Sequence, residues 1–183
     1  MLILASSSPR RKELLARLTP SFVIDPPFVD ESLLKQVSPE QLPLQEAKMK
    51  AYACLQKHFG DEILACDTAV IFANRVLGKP KDEEEAFKML YAEQGKRQVV
   101  VSGYCYIGKG KEITRSVATA VYFNPLSEAQ IRDYIKKFRP LDKAGAYGIQ
   151  DDYPLIEKIE GSYFNVMGLP LEDIAFHVFG KRL

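Results

Sequence analysis

The chain has 183 residues, 46% of them hydrophobic and 27% charged, with a formal net charge of +1. That length fits one domain, residues 1–183, with room for a sizeable core, and the near-neutral balance leaves no global field to recruit nucleic acid or an anionic membrane. No apolar run reaches the length of a membrane span, and the apolar residues 1–5 stop too soon for a signal peptide, so a cytoplasmic protein is expected.

Leu2, Ile3 and Leu4 read as a short buried strand, followed by a serine turn and a helix. Ser8 suits the N-cap and Pro9 the first helical position. Arg10, Arg11 and Lys12 fill the first turn, where the helix dipole favours acidic residues. An anion in front of the turn resolves that conflict, because free N–H groups, serine hydroxyls and arginine forks make a phosphate site. Taken alone, the turn reads equally well as a solvated basic helix start. Phe22, Val23 and Ile24 read as a second strand, broken by Asp25, Pro26 and Pro27. Asp30 and Glu31 close a short apolar run, and residues 33–43 read as loop with at most a turn of helix.

Residues 44–59 carry a helical stripe at 44, 47, 51, 55 and 59, stopped by Gly60. Lys48 and Lys50 lie on this helix, Lys48 flanking the stripe. Residues 63–72 form a continuous apolar run, as in a strand buried on both faces, interrupted by Asp67 and Thr68. A carboxylate there must be paired, bound to a cation, or placed at a strand break facing a cleft. Gly78 and Pro80 shape a loop that presents Lys79. Asp82 and Glu85 open a helix as a capping box, ending at Gly95. Residues 98–107 and 113–123 read as two long antiparallel strands joined by a hairpin at 108–111. Ser127 with Gln130 caps the next helix, with Leu126 and Ile131 as its staple, and Pro140 ends it. Residues 142–150 hold two glycines, an acid, a base and an amide without periodicity, which marks a functional loop. A strand at 155–159, a glycine-bounded loop at 161–168 and a helix from Pro170 to Gly180 complete a mixed α/β pattern.

Cys54, Cys66 and Cys105 sit in apolar segments without a CxxC pair and read as buried free thiols. His58 and His177 lie near helix ends. Neither shows a second His or Cys at ligand spacing, which argues against zinc. The chain also lacks GxxxxGK[ST] and GxGxxG, so kinase-type and dinucleotide readings fall away. What is left is a set of hard oxygen ligands, Asp30, Glu31 and Asp67, and a set of cations, Arg10, Arg11, Lys48, Lys79 and Lys143. Magnesium takes one or two carboxylates plus phosphate oxygens, and phosphoryl-type transfer needs positioning and charge neutralisation above all. Asp67, the least solvated of the three by its strand context, is the candidate base for an attacking water.

These segments together resemble the Maf family of nucleoside triphosphate pyrophosphatases, named for an inhibitor of septum formation. Ser6, Ser7, Ser8, Pro9, Arg10 and Arg11 resemble its S-x-S-P-R-R signature, and Asp30-Glu31 its acidic pair. Residues 46–51 resemble its lysine-bearing helix, and Asp67-Thr68 with Leu77-Gly78-Lys79-Pro80 its central block. Residues 142–150 and 161–170 resemble its two C-terminal blocks. The resemblance implies a mixed, twisted sheet flanked by helices, related to the inosine triphosphate pyrophosphatases, with a cleft between two lobes. It implies metal-dependent hydrolysis of a nucleoside triphosphate to the monophosphate and pyrophosphate, with magnesium or manganese.

By the same resemblance, Asp67 accepts the proton, Glu31 and Asp67 hold the metal, and Ser8, Arg10, Lys48 and Lys79 bind the phosphates. Ser6, Arg11 and Lys143 belong to the expected substrate-binding set. Arg10, Thr68 and Gln150 resemble the branch acting on dTTP and UTP, and the Gln150 amide can offer a donor and an acceptor to a pyrimidine edge. A 7-methyl-GTP or modified-nucleotide pyrophosphatase is the alternative within the chemistry, and a nucleotide-binding regulator of septum formation without turnover is the alternative outside it. The family implies a homodimer. Three positions depart from its pattern: Gln98 where a histidine is frequent, Phe138-Arg139 where G-E is frequent, and Asp151 where a glycine follows the G-I-Q. The last two are expected to border the base pocket.

Overall fold

Two strands with opposite-facing apolar rows set the layers of the computed structural model, which describes all residues, 1–183. In β1 (Leu2–Leu4) and β3 (Glu62–Phe72), Leu2, Leu4, Leu64 and Cys66 point to one face of the sheet. There they pack on Leu14 and Leu15 of α1 (Pro9–Ala16) and Leu171 and Ile174 of α6 (Leu171–His177). Ile3, Ile63 and Ala65 point to the other face, against Ala47, Ala51 and Cys54 of α2 (Leu42–Lys57). Period-two alternation in the strands and 3.6-residue spacing in the helices thus meet in two apolar seams. A third core joins α3 (Glu83–Glu93) and α4 (Glu128–Phe138) to the far end of the sheet through Leu90, Val121, Phe123, Ile131 and Tyr134.

The sheet has seven strands. Its order is β2 (Val23–Ile24), β1, β3, β5 (Arg97–Gly108), β6 (Lys111–Phe123), β7 (Ile156–Glu160), with β4 (Arg75–Leu77) paired to β3 off this path. β1 runs parallel to both β2 and β3, and the other pairings are antiparallel. β5 covers one edge of β3 from Ile63 to Ile71. On the opposite edge β1 pairs only as far as Leu64, and β4 begins only at Val70. The stretch of β3 between them, with Asp67 and Thr68, therefore has an open edge in mid-sheet, and the cleft forms there.

α2 is held close to the sheet by a missing side chain. Gly103 of β5 lies opposite Asp67, and a Cβ on it would fall 2.3 Å from the backbone of Leu44. Only glycine lets the first turn of α2 rest on the strand, and that seating carries the rest of α2 toward Asp67.

Most expected elements form within two residues of their sequence bounds. The differences have local causes. α2 begins at Leu42 because Pro43 fits a helix's first turn, and it ends at Lys57 because His58 leaves the helical region at φ −121°, ψ 52°. The Asp82 cap forms, but Glu85 returns its hydrogen bond to the Lys81 N–H at 2.7 Å instead of closing the box on Asp82. The two-residue turn of the long hairpin, Lys109 and Gly110, has φ of 51° and 70°. Residues 161–168 are not simply a loop: they contain α5 (Tyr163–Met167), too short to show a period and capped by Ser162, whose Oγ accepts from Asn165 N–H at 3.0 Å. No helix is long and apolar enough to cross a membrane.

Candidate active site

A cleft of about 490 Å³ opens at the uncovered edge of β3, within the size range of small-ligand sites. Residues 5–11, the Asp67-Thr68 step and the 142–150 loop supply most of its lining, completed by Pro26, Pro27, Lys50, Lys79 and the end of α5. Alternation along β3 divides it into two walls. Asp67 falls on the α2 side, and Thr68 on the side of α1 and α5.

On the α2 wall, the Lys50 ammonium donates to Asp67 Oδ2 and also pairs with Glu31 Oε1 at 2.9 Å. The other Asp67 oxygen accepts from the Thr68 N–H at 2.9 Å, which fixes the carboxylate plane. Burial disfavours charge on Lys50, yet Asp67 and Glu31 more than offset it, and its pKa lies above the usual lysine range. Glu46 stands one helical turn before Lys50. Burial, with the charges of Asp67 and Glu31, pushes its carboxyl up to about 7. Of the three fates open to a carboxylate inside an apolar strand, Asp67 takes the first: it is paired, and β3 runs unbroken through it.

On the opposite wall the donors are already committed. Arg11 Nε donates to the Gly168 carbonyl at 2.8 Å, and its two terminal nitrogens reach Ser6 Oγ at 3.1 Å and Thr68 Oγ1 at 3.2 Å. Its side chain is only 13% exposed and lies 3.9 Å from Asp67 Oδ1. Gly168 ends α5 at φ +113°, where its carbonyl also accepts from Thr68 Oγ1 at 3.2 Å. Thr68 Oγ1 further contacts Ser102 Oγ at 2.8 Å. Arg11 is thus a strut joining α1, β3 and α5, more than a free phosphate fork. Ser8 caps α1 as expected, with Oγ accepting from Arg11 N–H at 3.4 Å, and Ser6 Oγ accepts from Ser8 N–H at 3.3 Å. Because Pro9 has no N–H and Arg11 N–H is capped, the helix end offers fewer amides to an anion than the sequence suggested.

Further charges sit at the rim. Arg10 points to Asp142 at 3.6 Å, and Lys143 Nζ donates to Asp142 Oδ1 at 3.0 Å. Burial works against charge on Asp142, but the Lys143 bond and charge, with Arg10, hold its carboxyl below the usual range. Lys79 and Gln150 line the cleft and are exposed. Lys79 follows Gly78, whose carbonyl accepts from Gly145 N–H at 3.1 Å and so ties the lysine loop to the 142–150 loop.

Of the expected site residues, Ser6, Ser8, Arg10, Arg11, Asp67, Thr68, Lys79, Lys143 and Gln150 line this one cleft. Glu31 reaches it through Lys50. Lys48 does not line it: the lysine at Asp67 is Lys50. Two residues along a helix turn a side chain roughly 200° away, so both cannot face the strand. The available signal was Lys50's position three residues after Ala47 and four before Cys54, inside the buried stripe. Glu46 shares that face and was also missed. Neither Arg139 nor Asp151 borders the cleft, contrary to expectation. Arg139 is the left-handed cap of α4. Asp151 accepts from Tyr134 OH at 2.6 Å, and that oxygen accepts from Gly148 N–H at 3.0 Å, so Asp151 braces the loop from behind. Gln98 sits beneath the same loop, donating to buried Glu93 at 2.5 Å and accepting from Tyr147 OH at 3.0 Å.

Fold and site together define a mixed α/β protein whose cleft offers carboxylate oxygens on one side and a ring of cations on the rim, as a bound polyanion requires. The chain belongs to the Maf family: the family model described as Maf-like protein matches residues 1–178. Two curated relatives are named dTTP/UTP pyrophosphatase. One, from Thermococcus gammatolerans, is 43% identical over 95% of this chain and 93% of its own length. The other, from Pyrococcus furiosus, is 45% identical over 93% of this chain and 90% of its own. The solved Ham1 protein of Staphylococcus aureus overlays 67% of this chain and 71% of that one with a TM-score of 0.45 at 15% identity, too partial a likeness to bear on topology or chemistry.

Proposed function

We propose that this protein hydrolyses the nucleoside triphosphates dTTP and UTP to the monophosphate and pyrophosphate. One observation carries the reading: a single cleft brings Asp67, paired to a lysine, within the same cavity as Arg10, Lys79 and Lys143. The full-length likeness to proteins named for that activity supports it. The triphosphate lies along the rim, where three side-chain cations neutralise it. Water attacks the α-phosphorus, its proton passes to the Asp67 carboxylate, and pyrophosphate leaves. The Thr68 N–H holds that carboxylate in plane, and Lys50 pairs with its other oxygen.

Glu31 and Asp67 are the residues that would hold a divalent metal. The pair fits one, since the two carboxylates already share a single cation, the Lys50 ammonium, and oxygen donors of this kind suit magnesium or manganese. The metal would supply charge neutralisation at the phosphate oxygens. Thr68 and Gln150 line the same cleft, where the Gln150 amide would meet the base of the nucleotide. Incubation with a panel of nucleoside triphosphates and magnesium, with products separated chromatographically, tests the proposal. dTTP and UTP are expected to give monophosphate and pyrophosphate ahead of purine triphosphates, whereas diphosphate and orthophosphate would refute it.

A further inference from the structure

Outside the cleft, where the C-terminal end of α2 meets the end of β2, Asp25, Cys54 and His58 each present one ligand atom, and these atoms all lie within 4.8 Å of one another. Cys54 is in the last turn of α2 and is 1% exposed. His58 follows four residues later, as the helix cap. Asp25 comes from the other side, fixed by its N–H donating to the Leu4 carbonyl at 3.2 Å. His58 Nε2 lies 2.6 Å from Asp25 Oδ2, and Cys54 Sγ lies 3.7 Å from the Asp25 carbonyl oxygen. The second ring nitrogen, Nδ1, faces the Asp61 carboxylate at 3.9 Å. Cys54 and His58 stand at ligand spacing, four apart on one helix end, and the third group comes from the residue after β2.

We propose that Asp25, Cys54 and His58 form a binding site for a borderline-soft divalent cation of the zinc class, separate from the carboxylates of the cleft. Thiolate, imidazole and carboxylate together are a zinc ligand set, and a hard ion such as magnesium takes oxygen alone. Zinc holds its ligands at about 2.0–2.3 Å, so ligand atoms of one tetrahedral ion stand on the order of 3–4 Å apart. The three groups meet that spacing with small side-chain movements. The close His58–Asp25 contact is a hydrogen bond whose place the ion takes, parting the two atoms; the imidazole binds neutral through Nε2 with its one proton on Nδ1, and any further proton leaves to solvent. The Cys54 thiol proton leaves to solvent, and the metal–sulfur bond takes its place. Asp61, 3.9 Å from Nδ1, is near enough to become the outer partner of a metal-binding imidazole after a small side-chain movement. A water completes the coordination from the exposed side of Asp25 and His58.

The position gives the site a consequence. Asp25 is followed directly by Pro26 and Pro27, which line the cleft, and α2 carries Lys50. An ion there ties the proline wall to the helix that places the lysine on Asp67. The site does not depend on the nucleotide reading, and neither does its test.

The metal-free full-length chain is titrated with Co²⁺ and then Zn²⁺ in excess magnesium, which occupies the oxygen ligands of the cleft. One equivalent is expected, with a thiolate-to-cobalt charge-transfer band and zinc uptake measured against a chromophoric chelator. Cys54→Ser should abolish the band, and His58→Asn should weaken zinc binding at least tenfold. Absence of the band in the wild-type protein, or its persistence in Cys54→Ser, would overturn the proposal. Wild-type protein loaded with ¹¹³Cd reads the ligands without any substitution. A cadmium resonance of a one-sulfur site with nitrogen and oxygen ligands is expected. A resonance of all-oxygen ligation, or no specific resonance, contradicts the site.

Discussion

The two walls of the cleft start from adjacent residues of one strand and are built on different physics. Asp67 faces α2, where two carboxylates and one ammonium share charge and Glu46 is pressed by burial and by like charge. Thr68 faces α1 and α5, where Arg11 spends its donors on a carbonyl and two hydroxyls. The first wall is held by ion pairs that other charged groups can replace. The second is held by hydrogen bonds within the fold that no substrate needs to replace. A cleft that must both keep its shape and rearrange charge separates the two tasks across the faces of a β-strand. Arg10 and Arg11 repeat the contrast: the neighbours in sequence end as a rim cation and an internal strut.

Substitutions on each wall should therefore fail in different currencies. The largest effect is expected at Asp67. Asp67→Asn should lower kcat by about 10²–10⁴-fold, the usual worth of a positioned base, while nucleotide binding and the unfolding midpoint stay near wild type. Loss of folding instead of turnover would break the division of labour. Arg11→Ala should act mainly on stability, by about 2–3 kcal/mol, since hydrogen bonds to a charged group contribute about 1.5–3 kcal/mol. Chemical denaturation reads it, and a variant as stable as wild type would show that Arg11 is not a strut. Arg10→Ala should raise KM by about tenfold and change stability by less than about 0.5 kcal/mol, as for an exposed surface pair.

The smallest effect belongs to Glu46 and depends on pH. Its folded pKa of about 7 stands above the usual 4.5, so the folded protein favours the neutral acid. The stability this contributes is complete below the unfolded value, falls as pH rises through the window between the two, and is lost above the folded value. In metal-free protein, Glu46→Gln should match wild type near about pH 4 and unfold at higher denaturant near about pH 8. Equal midpoints at both pH values would show that the fold does not favour the neutral Glu46 acid.

The same contrast explains what could be read from the chain. The Ser8 cap, the Ser127–Gln130 capping box and the long hairpin depend on neighbours in sequence, and they form where local chemistry puts them. Asp67 was legible because a charge inside an apolar strand demands a partner. The identity of that partner was not, because it depends on how α2 is rotated against the sheet. Gly103 and the Ala47–Ala51–Cys54 seam set that rotation, and together they choose Lys50 over Lys48. Arg11's structural bonds were illegible for a related reason: its partners Thr68 and Gly168 lie 57 and 157 residues away. The cleft's outline came from motifs, and the roles inside it came from tertiary contacts.

In the proposed reaction, water is activated from the Asp67 wall toward the α-phosphorus. Single-turnover hydrolysis of dTTP in ¹⁸O-enriched water, with products resolved by mass, reads this most directly. One labelled oxygen in the monophosphate and none in the pyrophosphate is the predicted result. Label in the pyrophosphate, or release of labelled orthophosphate, would contradict it.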